Sequence, residues 1–299
     1  MGSLRTFPQP TVTRRGFLRG TMFAGAGLVL YSGEIERHWI DVVRRDAPIP
    51  GLPDAFDGMT VAQLSDIHLD DFTEPFFLRD AVHRVNQLNP DVIFLTGDYV
   101  TNQFGHRLGT GKFAIGAAWQ CANIFLGLKC RQIYAILGNH DILVGARQVT
   151  TALEDNGIPV LRNSFVPLER SGSRIWLAGL DDPVDGHPRV DLAIPHTIRN
   201  IPNEPVILLC HAPDFATQVA ADPAGRAVSL MLCGHTHGGQ IRLPLIGPIV
   251  LPTGGKLFAE GEFHVANIQL YVNRGLGTVG IPFRLDCPPE ITLHTLRRA

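Results

Sequence analysis

Asp66-Ile67-His68, Gly97-Asp98, Gly138-Asn139-His140-Asp141, His211 and Gly234-His235-Thr236-His237 each stand at the end of a short apolar run. Carboxylate, imidazole and amide groups in mixture suit manganese, iron or zinc, whereas calcium and magnesium sites prefer oxygen alone. Two divalent ions about 3.5–4 Å apart polarise a phosphoryl oxygen and generate a hydroxide nucleophile near neutral pH, which then attacks a phosphoester in line. A chain of net charge −2 needs such cations to accept an anionic substrate, since Asp66 and Asp98 alone would repel it. Asp66 and His68 are two apart, as are His235 and His237. On extended backbone such pairs point to one side, so each is expected to converge on one metal. An isolated Asp-x-His says nothing; Gly-Asn-His-Asp and Gly-His-Thr-His, in order with Gly-Asp, are specific.

The runs that must carry these residues are Val61–Leu64, Val92–Leu95, Ile133–Leu137, Val206–Cys210 and Leu230–Cys233. Short β-branched and leucine-rich runs bounded by Gly or Asp read as strands buried on both faces. Ligands bind beyond the carboxyl ends of such strands, so the five are expected to gather the metal-binding groups at one rim of one sheet. Helical spacing covers Pro75–Leu88, stopped by Asn89-Pro90, and also Phe113–Leu128, Gln148–Asn156 and Pro213–Ala221. Ile175–Leu180 reads as a further strand, and Asp181-Asp182 after it is expected to start a turn at Pro183 rather than line a cleft. Ile241–Leu251 is dense in Pro and Gly, and strands come after it at Gln269–Asn273 and Ile291–Leu296. Pro48, Pro50, Gly51 and Pro53 suggest a linker over residues 33–56, ahead of one domain at 57–299. His38, His83, His106, His187, His196, His264 and His294 match no motif and read as ordinary hydrogen-bonded side chains.

A chain of 299 residues, 45% of them hydrophobic, can bury a substantial core. Its small net charge and lack of basic runs interleaved with aromatics argue against a nucleic-acid partner. Five cysteines without a CxxC pair do not make a disulfide framework, and Cys210 and Cys233 read as small buried apolar residues. Residues 1–32 stand apart. Thr13-Arg14-Arg15-Gly16-Phe17-Leu18-Arg19 precedes a Gly- and Ala-rich apolar stretch from Met22 to Tyr31. That layout resembles a twin-arginine export signal, which implies the twin-arginine translocase as a partner and the periplasm or cell envelope as destination. No clear Ala-x-Ala site comes after Tyr31, so retention as a membrane tether is an open expectation.

The motifs resemble those of the calcineurin-like metallophosphoesterase superfamily, and within it the bacterial exported branch of the YkuE/YaeI type. The closer likeness rests on Ser65-Asp66-Ile67-His68, Thr96-Gly97-Asp98, Gly179-Leu180-Asp181-Asp182-Pro183 and Gly234-His235-Thr236-His237-Gly238-Gly239-Gln240. Asn273-Arg274-Gly275-Leu276-Gly277 and Pro288-Pro289-Glu290-Ile291 extend it, so that it covers roughly Pro50 to Leu296. The resemblance implies an α/β fold, a four-layer α/β/β/α sandwich of two mixed sheets flanked by helices. It implies Asp66, His68 and His237 on one metal, Asn139, His211 and His235 on a second, and Asp98 bridging both. His140 would then act near the leaving group, with Asp141 orienting its ring. Position 101 is Thr where purple acid phosphatases place a Tyr ligand, which favours manganese, or ferrous iron or zinc, over a ferric centre. Arg242, Arg274 and Arg284 are candidate clamps for a phosphate or headgroup, with solvated surface arginines as the plain alternative.

The expected activity is hydrolysis of phosphodiesters or pyrophosphates outside the cytoplasmic membrane. A narrower alternative is a UDP-diacylglucosamine-type lipid pyrophosphatase, which would need an apolar wall from residues such as Phe72, Phe76, Phe77 and Phe104. A non-catalytic scaffold on the same fold is the third reading, and the intact ligand set with His140 and Asp141 speaks against it.

Overall fold

The computed structural model describes residues 13–70, 72–102, 110–199 and 201–299. In chain order its strands are β1 (Asp41–Ile49), β2 (Thr60–Leu64), β3 (Val92–Leu95), β4 (Ile133–Ala135), β5 (Ser164–Arg170), β6 (Ser173–Gly179) and β7 (Val206–Leu209). They continue with β8 (Val228–Cys233), β9 (Arg242–Leu243), β10 (Gly247–Pro248), β11 (Gly261–Val265), β12 (Ile268–Val272) and β13 (Glu290–Arg298). The helices are α1 (Arg14–Leu30), α2 (Pro75–Leu88), α3 (Thr110–Phe125), α4 (Asn139–Glu154), α5 (Val190–Ala193) and α6 (Ala216–Ala221).

The five expected strands divide between two sheets and do not share one. β2, β3 and β4 lie in parallel in a five-stranded sheet of order β1-β13-β2-β3-β4. β7 and β8 pair in parallel in a six-stranded sheet of order β11-β12-β8-β7-β6-β5. The alternation along each strand shows why two sheets form. Val92 and Phe94 face a core shared with Ile207, Leu209, Leu230 and Leu232 of the other sheet. Ile93 and Leu95 face the opposite way, onto α2, α3 and α4. Leu208, Met231 and Leu270 point outward against α5 and α6. Three apolar layers therefore separate four structural ones, the α/β/β/α sandwich that the resemblance implied.

Residues 33–56 are not a linker. They hold β1, paired in parallel with β13 from Asp41↔Glu290 to Ile49↔Arg298. Pro48 is tolerated because β1 is an edge strand, where a missing N–H on the outer side leaves no ladder bond unmade. α2 spans Pro75–Leu88 as its apolar spacing predicts, with Asn89 closing it in the left-handed conformation at φ 48°. α4 starts at Asn139, nine residues before the expected Gln148, and absorbs the metal-binding motif into its first turn. Gly145, at φ 145°, bends it between the motif and the predicted helix.

Candidate metal centre

The expected ligands converge, though not by strand periodicity. Asp66, His68, Asp98, His235 and His237 all have positive φ, at 50°, 47°, 58°, 75° and 51°. A non-glycine residue in that region is uncommon, and a cluster of them marks a site where the surroundings impose the backbone. Asp66/His68 and His235/His237 thus meet through left-handed turns after β2 and β8, and the extended i, i+2 geometry is corrected. The turns are packed so closely that side chains are excluded. A Cβ on Gly234 would strike Asp66 and Ser65, and one on Gly138 would strike Asp98 and His211.

Two buried clusters bring ligand atoms within 4.8 Å of one another: Asp66 with His68 and His237, and Asp98 with His211 and His235. A third group, His68 with Asp98 and His140, joins them through Asp98. Each imidazole spends one nitrogen on the protein. His211 Nδ1 donates to the Thr96 carbonyl at 2.7 Å, and His235 Nε2 donates to that of Thr253 at 2.8 Å. His237 Nδ1 faces the Gly277 carbonyl at 3.3 Å. His68 Nδ1 faces Thr101 Oγ1 at 3.3 Å, whose own hydroxyl donates to Asp70 at 2.7 Å. Such outer contacts fix the tautomer and leave the other nitrogen's lone pair toward the metal.

The inner atoms fit a cation. His68 Nε2 and His237 Nε2 lie 3.1 Å apart, and with both Nδ1 atoms serving as donors their lone pairs face each other. His237 Nε2 is 3.4 Å from Asp66 Oδ1, and His68 Nε2 is 3.5 Å from Asp98 Oδ2. His211 Nε2 and Asn139 Oδ1 are buried without a hydrogen-bond partner, although His211 Nε2 is only 3.1 Å from Asp98 Oδ2. Orphaned buried acceptors cost about 1–3 kcal/mol each and need an explanation, which a divalent ion supplies.

Electrostatics point the same way. Burial holds the His68 and His237 imidazoles well below their ordinary value, the neutral form a ligand requires. Burial lowers His211 too, but Asp98, Asp66 and Asp182 outweigh it and raise the ring well above the ordinary value, so these carboxylates call for positive charge at that point. Burial pushes Asp98 up, yet His211, His140 and His68 keep it well below the usual carboxylate range. An ionised carboxylate therefore sits between the clusters.

His140 and Asp141 do not form the expected pair. His140 Nδ1 accepts the backbone N–H of Asn102 at 2.9 Å, which leaves Nε2 to carry the ring proton. The Asp141 carboxylate instead accepts the N–H groups of Asp98 at 2.8 Å, Tyr99 at 2.9 Å and Gly138 at 2.9 Å. At the third residue of α4 it turns back over the helix N-terminus, where free N–H groups attract an acceptor. Burial, with Asp98 next, pushes its pKa up to about 8. Asp141 ties the Gly97-Asp98 turn to α4; it does not orient the imidazole.

The three arginines are already paired. Arg284 is fully buried and donates to the carbonyls of Gly277, Gly275, Arg274 and Cys287, beneath His237. Arg274 pairs with Glu290 at 2.6 Å and Asp41 at 2.8 Å. Arg242 pairs with Glu260 at 2.6 Å. None is a free phosphate clamp or a solvated surface group, because each is consumed in holding the segments behind the metal-binding turns. Asp182 caps the turn at Pro183, accepting from Val184 at 2.8 Å and Asp185 at 2.7 Å, as its position predicts. Asp181 binds Arg162 at 2.7 Å. Phe72 and Phe76 are exposed and Phe77 is core; Phe104 and His106 lie outside the described residues.

The groups that sequence reasoning missed are mostly backbone: Asn102 N–H and the carbonyls of Thr96, Thr253 and Gly277. Backbone partners leave no residue-type signature. Thr101 was visible only as the place where a Tyr ligand is missing.

Residues 59–239 match the calcineurin-like phosphoesterase family. This chain belongs to that family. The calcineurin-like phosphoesterase described here is 34% identical over 295 residues to the uncharacterized metallophosphoesterase YkuE of Bacillus subtilis, covering 96% of this chain and 98% of that relative. It is 28% identical over 293 residues to the phosphodiesterase YaeI of Escherichia coli, covering 95% of this chain and 99% of YaeI. Among solved structures, the NAD nucleotidase of Haemophilus influenzae superposes with a TM-score of 0.50 at 14% identity. That match covers 73% of this chain and 45% of the nucleotidase. Family and metal-binding clusters together make this calcineurin-like phosphoesterase a metal-dependent phosphoester hydrolase.

Proposed function

We propose that the chain hydrolyses phosphodiester or pyrophosphate bonds with two divalent ions, manganese first among them and iron or zinc next. The observation that carries the reading is Asp98, held ionised between two buried ligand clusters, with the Nε2 atoms of His68 and His237 facing each other on one side and His211 Nε2 and Asn139 Oδ1 unpartnered on the other. Asp66, His68 and His237 would hold one ion, Asn139, His211 and His235 the other, and Asp98 both. Ions in those places would polarise a phosphoryl oxygen and lower the pKa of water toward neutrality. The protein's own part is positional. Asp98 Oδ1 accepts the His140 N–H at 2.9 Å, so the metal bridge and the acid share one anchor. A ring nitrogen of His140 lies within 4.8 Å of the ligand atoms of His68 and Asp98, which supports a role for its Nε2 proton at the departing oxygen. The name of YaeI supports diesters over monoesters.

Turnover by manganese-loaded protein should be compared across phosphomonoesters, aryl phosphodiesters, lipid-headgroup diesters and nucleotide-linked lipids at equal concentration. A strong preference for monoesters would sink the diester reading. Asp98→Ala should lose metal and nearly all turnover; retention of both would leave only the scaffold reading.

The Arg14-Arg15 pair and the apolar stretch behind it support export through the twin-arginine translocase to the periplasm or cell envelope. Thr13 caps α1, accepting the Gly16 N–H at 3.1 Å. Changing Arg14 and Arg15 to Lys should hold the protein in the cytoplasm, and undiminished export would refute the signal.

A further inference from the structure

The hairpin of β9 and β10 grows directly out of a metal-binding turn. Arg242, its first residue, comes soon after His237 and donates to the Gly238 carbonyl at 3.0 Å. Leu243 pairs with Gly247, and the tip between them is Pro244-Leu245-Ile246. The hairpin and its continuation carry aliphatic side chains into solvent: Leu245 fully, Ile246 at 73% and Val250 at 71% exposure. Leu245 also sits at φ 67°, a conformation in which turn chemistry selects Gly or Asn. Neither packing nor backbone preference explains a leucine there.

α1 presents the same anomaly on a larger scale. None of its residues is buried, and Phe17, Leu18, Met22, Phe23, Leu28 and Val29 are exposed. At 100° per residue these positions surround the helix instead of forming one stripe. A protein groove covers one face of a helix; a helix apolar on every side is covered by hydrocarbon or by a core. Its charged residues, Arg14, Arg15 and Arg19, all lie in its N-terminal part, and it holds no acid.

The two features are joined. Leu28 and Tyr31 line one cleft of about 860 Å³ with Leu243 and Pro244, and Trp39, 65% exposed, stands at its edge. The end of α1 is fastened to the body at once. Arg284 N–H donates to the Ser32 carbonyl at 3.0 Å, and Cys287 N–H to Glu36 Oε1 at 2.7 Å. The helix therefore leaves the body beside the hairpin in a fixed position.

We infer that α1 and the hairpin from Leu243 to Val250 form one docking surface for a lipid bilayer, with the metal centre at the base of the inserted hairpin. The surface asks for insertion, not for a crossing, and no described helix is long and apolar enough to cross a membrane. This goes beyond the diesterase reading and does not depend on it.

The test is co-sedimentation of the full chain with vesicles of phosphatidylcholine and phosphatidylglycerol, wild type against Leu245→Asp/Ile246→Asp/Val250→Asp. With α1 intact, the partition coefficient of the variant should fall at least about tenfold, since three aliphatic side chains no longer bury in lipid. Turnover of whichever small soluble phosphoester the wild type hydrolyses should stay unchanged, which reports folding separately from docking. As a second measurement, L245W should gain emission that phospholipids brominated in the acyl chains quench. An unaltered partition coefficient, or an unquenched tryptophan at that position, overturns the inference. So does a lipid-free wild type that sediments as a dimer while the triple variant sediments as a monomer, because a second copy would then cover this face.

Discussion

The backbone N–H of Asn102 donates to Nδ1 of His140, and this bond, not a carboxylate, decides which ring nitrogen carries the proton. On the proposed reading His140 is thereby an acid beside the ligands and not one of them. Replacing His140 with Asn should lower turnover by about 10²- to 10⁴-fold while metal content stays at the wild-type level. Elemental analysis beside steady-state rates checks it; a variant that loses metal in step with rate would make His140 a ligand.

Thr101 links His68 to Asp70. Thr101→Val keeps the shape and removes the oxygen, so His68 loses the partner of its Nδ1. Metal affinity should drop about 10- to 100-fold, the usual effect of removing a ligand's outer support, and Thr101→Ser should restore most of it. Competition with a chelator measures both.

Gly234 has no room for a methyl group, because Asp66 and Ser65 occupy the space a Cβ would take. Gly234→Ala should displace Asp66 and abolish metal binding at the cluster it shares with His68 and His237. A fully loaded G234A protein would show that the turn yields more easily than its packing implies.

Arg284 satisfies four carbonyls from full burial. Arg284→Met would strand the Arg274 and Cys287 carbonyls, while those of Gly275 and Gly277 keep Glu290 N–H and His237 Nδ1, and should destabilise the fold by at least about 2 kcal/mol. Denaturant unfolding reads that directly. The folded fraction should keep its KM; a large rise in KM with unchanged stability would return Arg284 to the role of phosphate clamp.

His294 is buried, with its Nε2 donating to Gln63 at 3.0 Å and Arg45 donating to its Nδ1 at 3.1 Å. Burial, and then Arg45, holds its pKa well below the ordinary 6.5. Below pH 6.5 the unfolded chain binds a proton that the folded chain refuses. The stability that His294 allows is therefore complete above that pH and declines as pH falls toward the folded value. The slope is about 1.4 kcal/mol per pH unit. In His294→Gln that increment should vanish from the pH dependence of unfolding; an unchanged curve would mean that the ring charges without cost.

Residue types at strand ends carried most of the site. An Asp, Asn or His after a run of Val and Leu is legible because the core dictates the run and little else dictates the residue beyond it. α2 was legible for a related reason: its apolar spacing and Asn89-Pro90 stop agree. The features that escaped did so for three physical causes. Backbone donors and carbonyls, such as Asn102 N–H and Thr253 C=O, are present at every position and mark none. The left-handed turns at Asp66 and His235 are a minority conformation even for Asp and His, so local reading returns an extended segment. β1 was hidden because charges and Pro48 disguise an edge strand, and its partner lies at the far end of the chain.

That distant pairing governs the order of events at synthesis. Among the described residues β13 is the only sheet neighbour of β1, and it separates β1 from β2. The earliest strand to emerge therefore waits, without a partner, for the last. A chain that stops before Glu290 has nothing to receive Asp41–Ile49, although Arg284 and Cys287, which hold Ser32 and Glu36, are already made. The pairing of β13 with β1 thus ties the last described strand to the segment that comes after the proposed export signal.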